Sequence, residues 1–154
     1  MKKSILALLF MIAYVIGCSN QNQETAVKDE AEEVLNQYTT AITEHDYSSL
    51  VELYSGDYDW LSNFSSEEER NDKEKVFANY LTAVLGETEK IYLDSIVSKE
   101  VVNDDEIVYT ITFKREDGSQ FDVGDKETRN SKFKYTVKKI DGRFKVMDPP
   151  PYQP

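Results

Sequence analysis

The spacing of the hydrophobic residues changes once along this chain, near Gly86, and this change constrains the fold more than any other feature. In the predicted helices between residue 26 and Gly86 the hydrophobic residues recur every three or four positions, as on one face of an amphipathic helix. After Gly86 they alternate with polar residues, as in strands that bury one face. Helices followed by consecutive strands predict an α+β domain, with the helices packed on one face of an antiparallel sheet.

Three helices are predicted before that point. The first spans residues 26–44, the second begins near Ser48, and the third runs from a capping box of Ser66 and Glu69 to about Leu85. In the first helix one face is apolar, while charged and amide side chains fill the other. The residues of that apolar face are Val27, Ala31, Val34, Leu35, Tyr38, Ala41 and Ile42.

Four strands are predicted after Gly86. Their predicted bounds are residues 91–102, 107–114, 132–138 and 143–147. Asp141-Gly142 before the fourth strand is typical of a tight hairpin turn. Strict alternation in the first strand would place Tyr92, Asp94 and Ile96 on one face of the sheet.

The first seventeen residues have the features of a signal peptide. Lys2 and Lys3 are followed by an apolar run, residues 5–17, that contains no charge. Thirteen helical residues span about 20 Å, which is short of the roughly 30 Å core of a bilayer. An exported chain whose apolar segment is removed is therefore predicted, rather than a permanent transmembrane helix.

The end of this run, Val15-Ile16-Gly17-Cys18, resembles the lipobox of bacterial lipoproteins, although Ile16 is bulkier than the residue more often found there. The resemblance implies diacylglyceryl transfer to the Cys18 thiol, cleavage after Gly17, and anchoring in the cell membrane or the outer membrane, facing the periplasm or the exterior. Cys18 is the only cysteine, so an internal disulfide is excluded. The alternative is a cysteine that ends an apolar run by chance.

The rest of the chain is acidic and long enough for one domain. Cleavage would remove 17 of the 154 residues, including Lys2 and Lys3, and leave 137 residues with 16 Lys and Arg against 29 Asp and Glu, a formal charge of −13. A surface of this charge repels phosphate backbones, so no nucleic-acid partner is predicted. The predicted segments are a signal peptide (1–17), the lipidated cysteine with a flexible tether (18–25), an α+β domain (26–148) and a proline-rich tail (149–154). The tether could instead pack on the domain as an irregular arm.

Two segments carry a resemblance to the NTF2-like superfamily. They are AITEHDYSSLVELY, residues 41–54, which is similar to its helix–acidic turn–helix opening, and KYTVKKIDGRFKVMD, residues 134–148, which is similar to its closing hairpin. The resemblance covers nearly all of residues 26–148. It implies a cone-shaped domain with N-terminal helices packed on a curved antiparallel sheet. Some members are isomerases or dehydratases with Asp, Tyr or His at the mouth of the cone, and others are lipoproteins of unassigned role.

Catalytic and metal-binding patterns are weak. His45 follows the first helix, where the helix dipole alone favours it, and Asp94 beside Tyr92 fits an exposed acid next to a core tyrosine. Residues 117–122 begin like a calcium loop, but Asp122 stands where a sharp-turn glycine is needed and Thr128 where a bidentate glutamate is needed. No enzyme activity, metal site or cofactor is therefore predicted.

The final prolines and the aromatic residues are the remaining features. Residues 149–152 match the PPxY pattern that WW domains bind, yet a stiff tail that ends the last strand is the simpler interpretation.

Eight aromatic side chains could line a pocket between helices and sheet, although the same residues would equally fill a core. These candidates are Tyr54, Tyr58, Trp60, Tyr80, Tyr109, Phe113, Phe133 and Tyr135.

Two functions follow from these alternatives. The chain is predicted to be a membrane-anchored, non-catalytic protein that binds a small molecule or an envelope protein in that pocket. If the core is filled, an exposed face of the sheet would instead carry a protein partner or a second copy in a homodimer. Residues on that face include Thr110, Thr112, Lys134 and Thr136. An isomerase-like or dehydratase-like enzyme is the third alternative.

Overall fold

A computed structural model describes residues 19–125 and 128–151. For residues 19–29 it describes the backbone alone. The predicted signal peptide, the lipidation site Cys18 and Tyr152 of the PPxY pattern lie outside the described residues. Within those residues, no helix has the length and apolar character needed to span a bilayer.

The helices come first, as the spacing predicts. They are α1 (Ser19–Glu44), α2 (Tyr47–Leu53), α3 (Tyr58–Leu61), a 3₁₀ turn (Ser62–Phe64) and α4 (Lys73–Leu85). The aspartate before each of the later three α-helices caps it, because its carboxylate accepts a backbone N–H of the first turn. Gly86 ends α4 with a positive φ of 85°, as predicted.

Two predicted helix starts are wrong. The segment 19–25, predicted as a flexible tether, belongs to α1, because extending an existing helix by one residue costs far less than nucleating one. The capping box does form, since Ser66 N and Oγ both donate to Glu69 Oε2, at 3.2 and 2.9 Å. The capping box closes only one turn, however. The helix α4 begins at Lys73, directly after its N-cap residue Asp72.

His45 ends α1 in a left-handed conformation, with φ at 55°. Its N–H donates to Ile42 O at 3.3 Å, and the next N–H, of Asp46, donates to Ala41 O at 2.9 Å. This pair of bonds is the Schellman motif, in which glycine more often occupies the position of His45. The only histidine of the chain thus has a structural role at the α1–α2 turn.

Four strands form one antiparallel meander in chain order, which confirms the α+β class. They are β1 (Ile91–Asn103), β2 (Glu106–Arg115), β3 (Phe133–Ile140) and β4 (Arg143–Val146). Each lies within two residues of its predicted bounds. Asp141 and Gly142 have φ of 50° and 82°, so the predicted tight hairpin has both central residues left-handed.

The predicted strict alternation in β1 is wrong. Three bulges leave Asp94, Val97 and Val102 out of the pairing register with β2. The first bulge places Ile96 opposite the buried Ile111, on the helix-facing side, instead of beside Tyr92 and Asp94. A bulge depends on how two strands twist together, which the sequence of one strand does not encode.

The core lies between α1, α2 and α4 and the inner face of the sheet. Buried residues of β2 and β3 alternate along each strand and face the helices. The helix α1 runs antiparallel to β1: the Thr43 hydroxyl donates to Ile91 O near the end of α1, while Lys99 binds Glu32 at 2.9 Å nearer its start. We call the end of the domain where α1 ends and β1 begins the far end.

Candidate binding site

The eight aromatic candidates from the sequence lie mostly in the core. Tyr58 and Trp60 are half-buried, and the other six side chains are buried. Their rings contact one another, for example Tyr54 with Tyr58 at 5.1 Å and Phe113 with Phe133 at 5.5 Å between centroids. Tyr38, which is not among the eight, joins these two groups by contacting Tyr54 and Tyr135. That they line a ligand pocket stays a prediction.

The tyrosine hydroxyls of this cluster point to main-chain carbonyls. Tyr38 donates to Asp148 O at 3.2 Å, Tyr54 to Asp57 O at 2.9 Å, and Tyr80 to Pro150 O at 2.7 Å. By contrast, the buried hydroxyls of Tyr58 and Tyr135 have no hydrogen-bond partner within the described part of the chain. The core therefore contains polar groups that are only partly satisfied.

Burial shifts the pKa of these phenols upward. It raises the pKa of Tyr38 and Tyr135 well above 10, with neighbouring tyrosines and, for Tyr135, Asp148 adding to the effect. Burial also raises the pKa of Tyr58, to about 12. These tyrosines thus stay protonated at neutral pH, because deprotonation in an apolar setting is costly.

An open cleft of about 410 Å³ lies at the far end, between α4 and the connection from β2 to β3. Its wall on the helix side includes Ala83 and Val84, and Phe64 stands at its edge with 42% of its surface exposed. Phe121 and Val123 form the opposite side. Apolar walls with a few polar groups are typical of a ligand site.

Arg115 supplies the fixed polar group of this cleft. Its Nε donates to Glu89 Oε1 at 2.7 Å, its Nη1 donates to Gln120 O at 2.6 Å, and its guanidinium lies 5.0 Å from the ring centroid of Phe121. Because three contacts hold the guanidinium, its remaining N–H groups are oriented in advance.

The β2–β3 connection is ordered by local bonds on the other side of the cleft. Val123 and Asn130 exchange backbone hydrogen bonds, and Asp122 pairs with Arg129 at 3.3 Å. Gly124 has φ of 98°, and a Cβ there would lie 2.8 Å from Thr128 O. Glycine is therefore required for this connection to close against the cleft.

A larger groove of about 510 Å³ lies between α1 and α2, but its chemistry differs. Carboxylates and amides line most of it, including Glu33, Glu44 and Glu52. These side chains are exposed to solvent. We regard the smaller cleft as the better candidate, since it combines apolar walls with an oriented cation.

The residues considered for catalysis, Asp94 and His45, each have a local structural setting. Asp94 is exposed, and its carboxylate accepts from Thr112 Oγ1 and pairs with Lys114 Nζ, at 3.3 and 3.5 Å. A general base needs a drier setting than this. Nε2 of His45 is buried without a partner among the described residues, yet the backbone role of His45 accounts for its position.

Acidic side chains in the connection serve local structure. Asp117 accepts the N–H of Ser119 at 2.8 Å, and bonds to Ser119 hold the pKa of Asp117 below its usual value. In the described ranges, no three His, Cys, Asp or Glu side chains are placed to ligate one metal ion.

Sequence reasoning missed the cleft, because its residues come from three separated segments. An apolar pair within a polar loop, Phe121 and Val123, was the available indication, since loop residues of this kind usually pack against something. Comparison with protein-family models and with curated proteins finds no match to this chain.

Proposed function

We propose that this chain is a lipid-anchored binding protein of the cell envelope, with one non-catalytic domain of NTF2-like type. The lipobox-like residues 15–18 support the anchor. Helices on a four-stranded antiparallel meander support the coarse fold. The protein needs no cofactor in this proposal, and its anchor is the lipid on Cys18.

The position of the cleft carries the binding part of the proposal. The 26 residues of α1 span about 39 Å and begin directly after Cys18. The cleft lies at the opposite end of α1, beside Glu89 and Arg115. A domain anchored at Cys18 would therefore present the cleft away from the membrane, where a small ligand or an envelope protein can reach it.

A second candidate function, that of an interaction subunit, is favoured by the outer face of the sheet. Val97 and Val102 are 48% and 52% exposed, on the edge strand β1. Of the residues proposed for this face, Lys134 is exposed, Thr110 and Thr136 are half-buried, and Thr112 is buried. Exposed apolar side chains of this kind suit a protein partner or a second copy.

The anchor is tested by Cys18→Ser in the full chain. Lipidation requires the thiol, so the variant should incorporate no labelled fatty acid and should stay unprocessed or be released from the membrane. The native chain is the positive control. Equal labelling of both chains would exclude lipidation at Cys18.

The cleft is tested separately with a variant that fills it. Ala83→Trp places a large ring in the cleft from an exposed position of α4, whereas Thr82→Trp, also exposed on α4, does not line it. Residues 19–154 made in the source bacterium are compared by native and denaturing mass spectrometry. A small adduct present in the native chain and Thr82→Trp but lost in Ala83→Trp would support the cleft. An adduct retained in Ala83→Trp would exclude it, and a clean mass for all three would favour the interaction subunit.

A further inference from the structure

After β4 the chain folds back onto the domain instead of leaving it. Met147 N donates to Thr136 O at 2.9 Å, and the Asp148 carboxylate accepts the Thr136 N–H at 2.5 Å. Pro150 and Pro151 are buried. We call residues 147–151 the proline strap.

Two tyrosines hold the strap, in addition to its bonds with Thr136 of β3. Prolines have no N–H, so residues 149–151 can only accept hydrogen bonds. Their neighbourhood supplies the donors: the Tyr38 hydroxyl binds Asp148 O and the Tyr80 hydroxyl binds Pro150 O. We call these tyrosines, together with Tyr135, the tyrosine groove. Aromatic grooves that donate to the carbonyls of a proline-rich main chain are a general mode of peptide recognition.

The strap leaves part of the groove unused. Tyr135 is fully buried beside Tyr38, with its ring centroid 6.1 Å away, and its hydroxyl has no partner within the described ranges. A competing segment with one more well-placed carbonyl could satisfy this hydroxyl. Among the described residues, the strap beyond Met147 accepts hydrogen bonds from Thr136, Tyr38 and Tyr80. Exchange of one segment for another would replace these bonds.

We propose that the tyrosine groove is a binding site for extended proline-rich segments, and that the proline strap occupies it as a displaceable self-ligand. This inference goes beyond the proposed function, because it concerns neither the lipid anchor nor the cleft. The strap competes at a high effective concentration, since it is tethered to the domain. A segment from another protein therefore binds well only when the strap is weakened or released.

The test uses the complete mature chain with a weakened strap, Pro150→Ala with Pro151→Ala, and leaves the groove unchanged. The probe is a fluorescent peptide with the sequence of residues 148–154, and its anisotropy reports binding. We expect affinity at least about tenfold higher for the strap variant than for the native chain, since the self-ligand competes less. Adding Tyr80→Phe to the strap variant should weaken binding about fivefold, through loss of one hydrogen bond.

Two controls make the outcome decisive. A peptide in which Pro149, Pro150 and Pro151 are replaced by alanine should bind much more weakly, because it lacks the pre-formed extended conformation. Equal binding of both peptides, or no binding to a strap variant that circular dichroism shows to be folded, would overturn the proposal.

If the strap variant does not fold, the native chain still decides the question. A fluorophore attached after Pro154 should lose anisotropy as unlabelled peptide is added, because the peptide displaces the strap. The alanine-substituted peptide is again the control. Unchanged anisotropy up to millimolar peptide would count against a displaceable strap.

Discussion

Tyr80 and Tyr135 offer one chemical change in two opposite settings. Both side chains are fully buried. The Tyr80 hydroxyl donates to Pro150 O at 2.7 Å, whereas the Tyr135 hydroxyl lacks a partner among the described residues. Replacing each tyrosine by phenylalanine removes only an oxygen, so the two variants compare a satisfied hydroxyl with an unsatisfied one.

The expected changes in the free energy of unfolding have opposite signs. Tyr80→Phe removes a hydrogen bond and leaves the carbonyl of Pro150 without that donor, which should lower the free energy of unfolding by about 1–2 kcal/mol. Tyr135→Phe removes a hydroxyl whose desolvation is uncompensated and costs about 1–3 kcal/mol. We expect Tyr135→Phe to raise the free energy of unfolding by about 1 kcal/mol, so that the variants differ by roughly 2–3 kcal/mol.

Urea denaturation of the lipid-free chain at neutral pH measures both values. The slope with urea should stay constant, because neither change alters the surface exposed on unfolding. A change of 1 kcal/mol corresponds to a shift in melting temperature of about 4 °C for a domain of this size. Destabilisation of Tyr135→Phe by about 1 kcal/mol or more would refute the reasoning, because it would mean that the hydroxyl has a partner such as an internal water.

Two further predictions concern close packing and high pH. A Cβ at Gly56 would overlap the carbonyl oxygen of Met147, so Gly56→Ala should lower the free energy of unfolding by at least about 2 kcal/mol. Gly118→Ala is the control, because a Cβ at this position has no neighbour within 4 Å although φ is 82°. It should lower the free energy of unfolding by only about 1 kcal/mol in the same urea assay. Because burial raises the pKa of Tyr38 and Tyr135, their unfolded forms lose protons first as the pH rises above 10. The free energy of unfolding should then fall by about 1.4 kcal/mol per pH unit for each of these two tyrosines. A free energy of unfolding that stays constant between pH 10 and 11 would contradict this.

The elements that sequence predicted well are those that local chemistry determines. The alternation in β2 predicts its buried face, because each second side chain must meet the helices. Gly86 ends α4, and Asp141-Gly142 turns the last hairpin, because both need positive φ. These features depend on a few neighbouring residues, so a single sequence suffices to predict them.

The features that sequence missed depend on partners far along the chain. In β1 the helix-facing residues Leu93, Ile96 and Lys99 follow steps of three, because bulges accumulate where the strand pairs with β2. The cleft combines α4 with loop residues that precede α4, precede β1 and follow β2. The aromatic content predicted a core or a pocket, but hydrophobicity alone does not distinguish the two.

The number of tyrosines in this core is explained by the segments they hold. Carbonyls of irregular segments must be satisfied when they are buried, and prolines supply no donor of their own. Tyr38, Tyr54 and Tyr80 each donate to such a carbonyl, at Asp148, Asp57 or Pro150. Phenylalanine would fill the same volume but would leave these carbonyls unsatisfied. The Tyr135 hydroxyl has no partner among the described residues, so the strap does not explain its presence. This hydroxyl is the reason to expect that another segment can take the place of the strap.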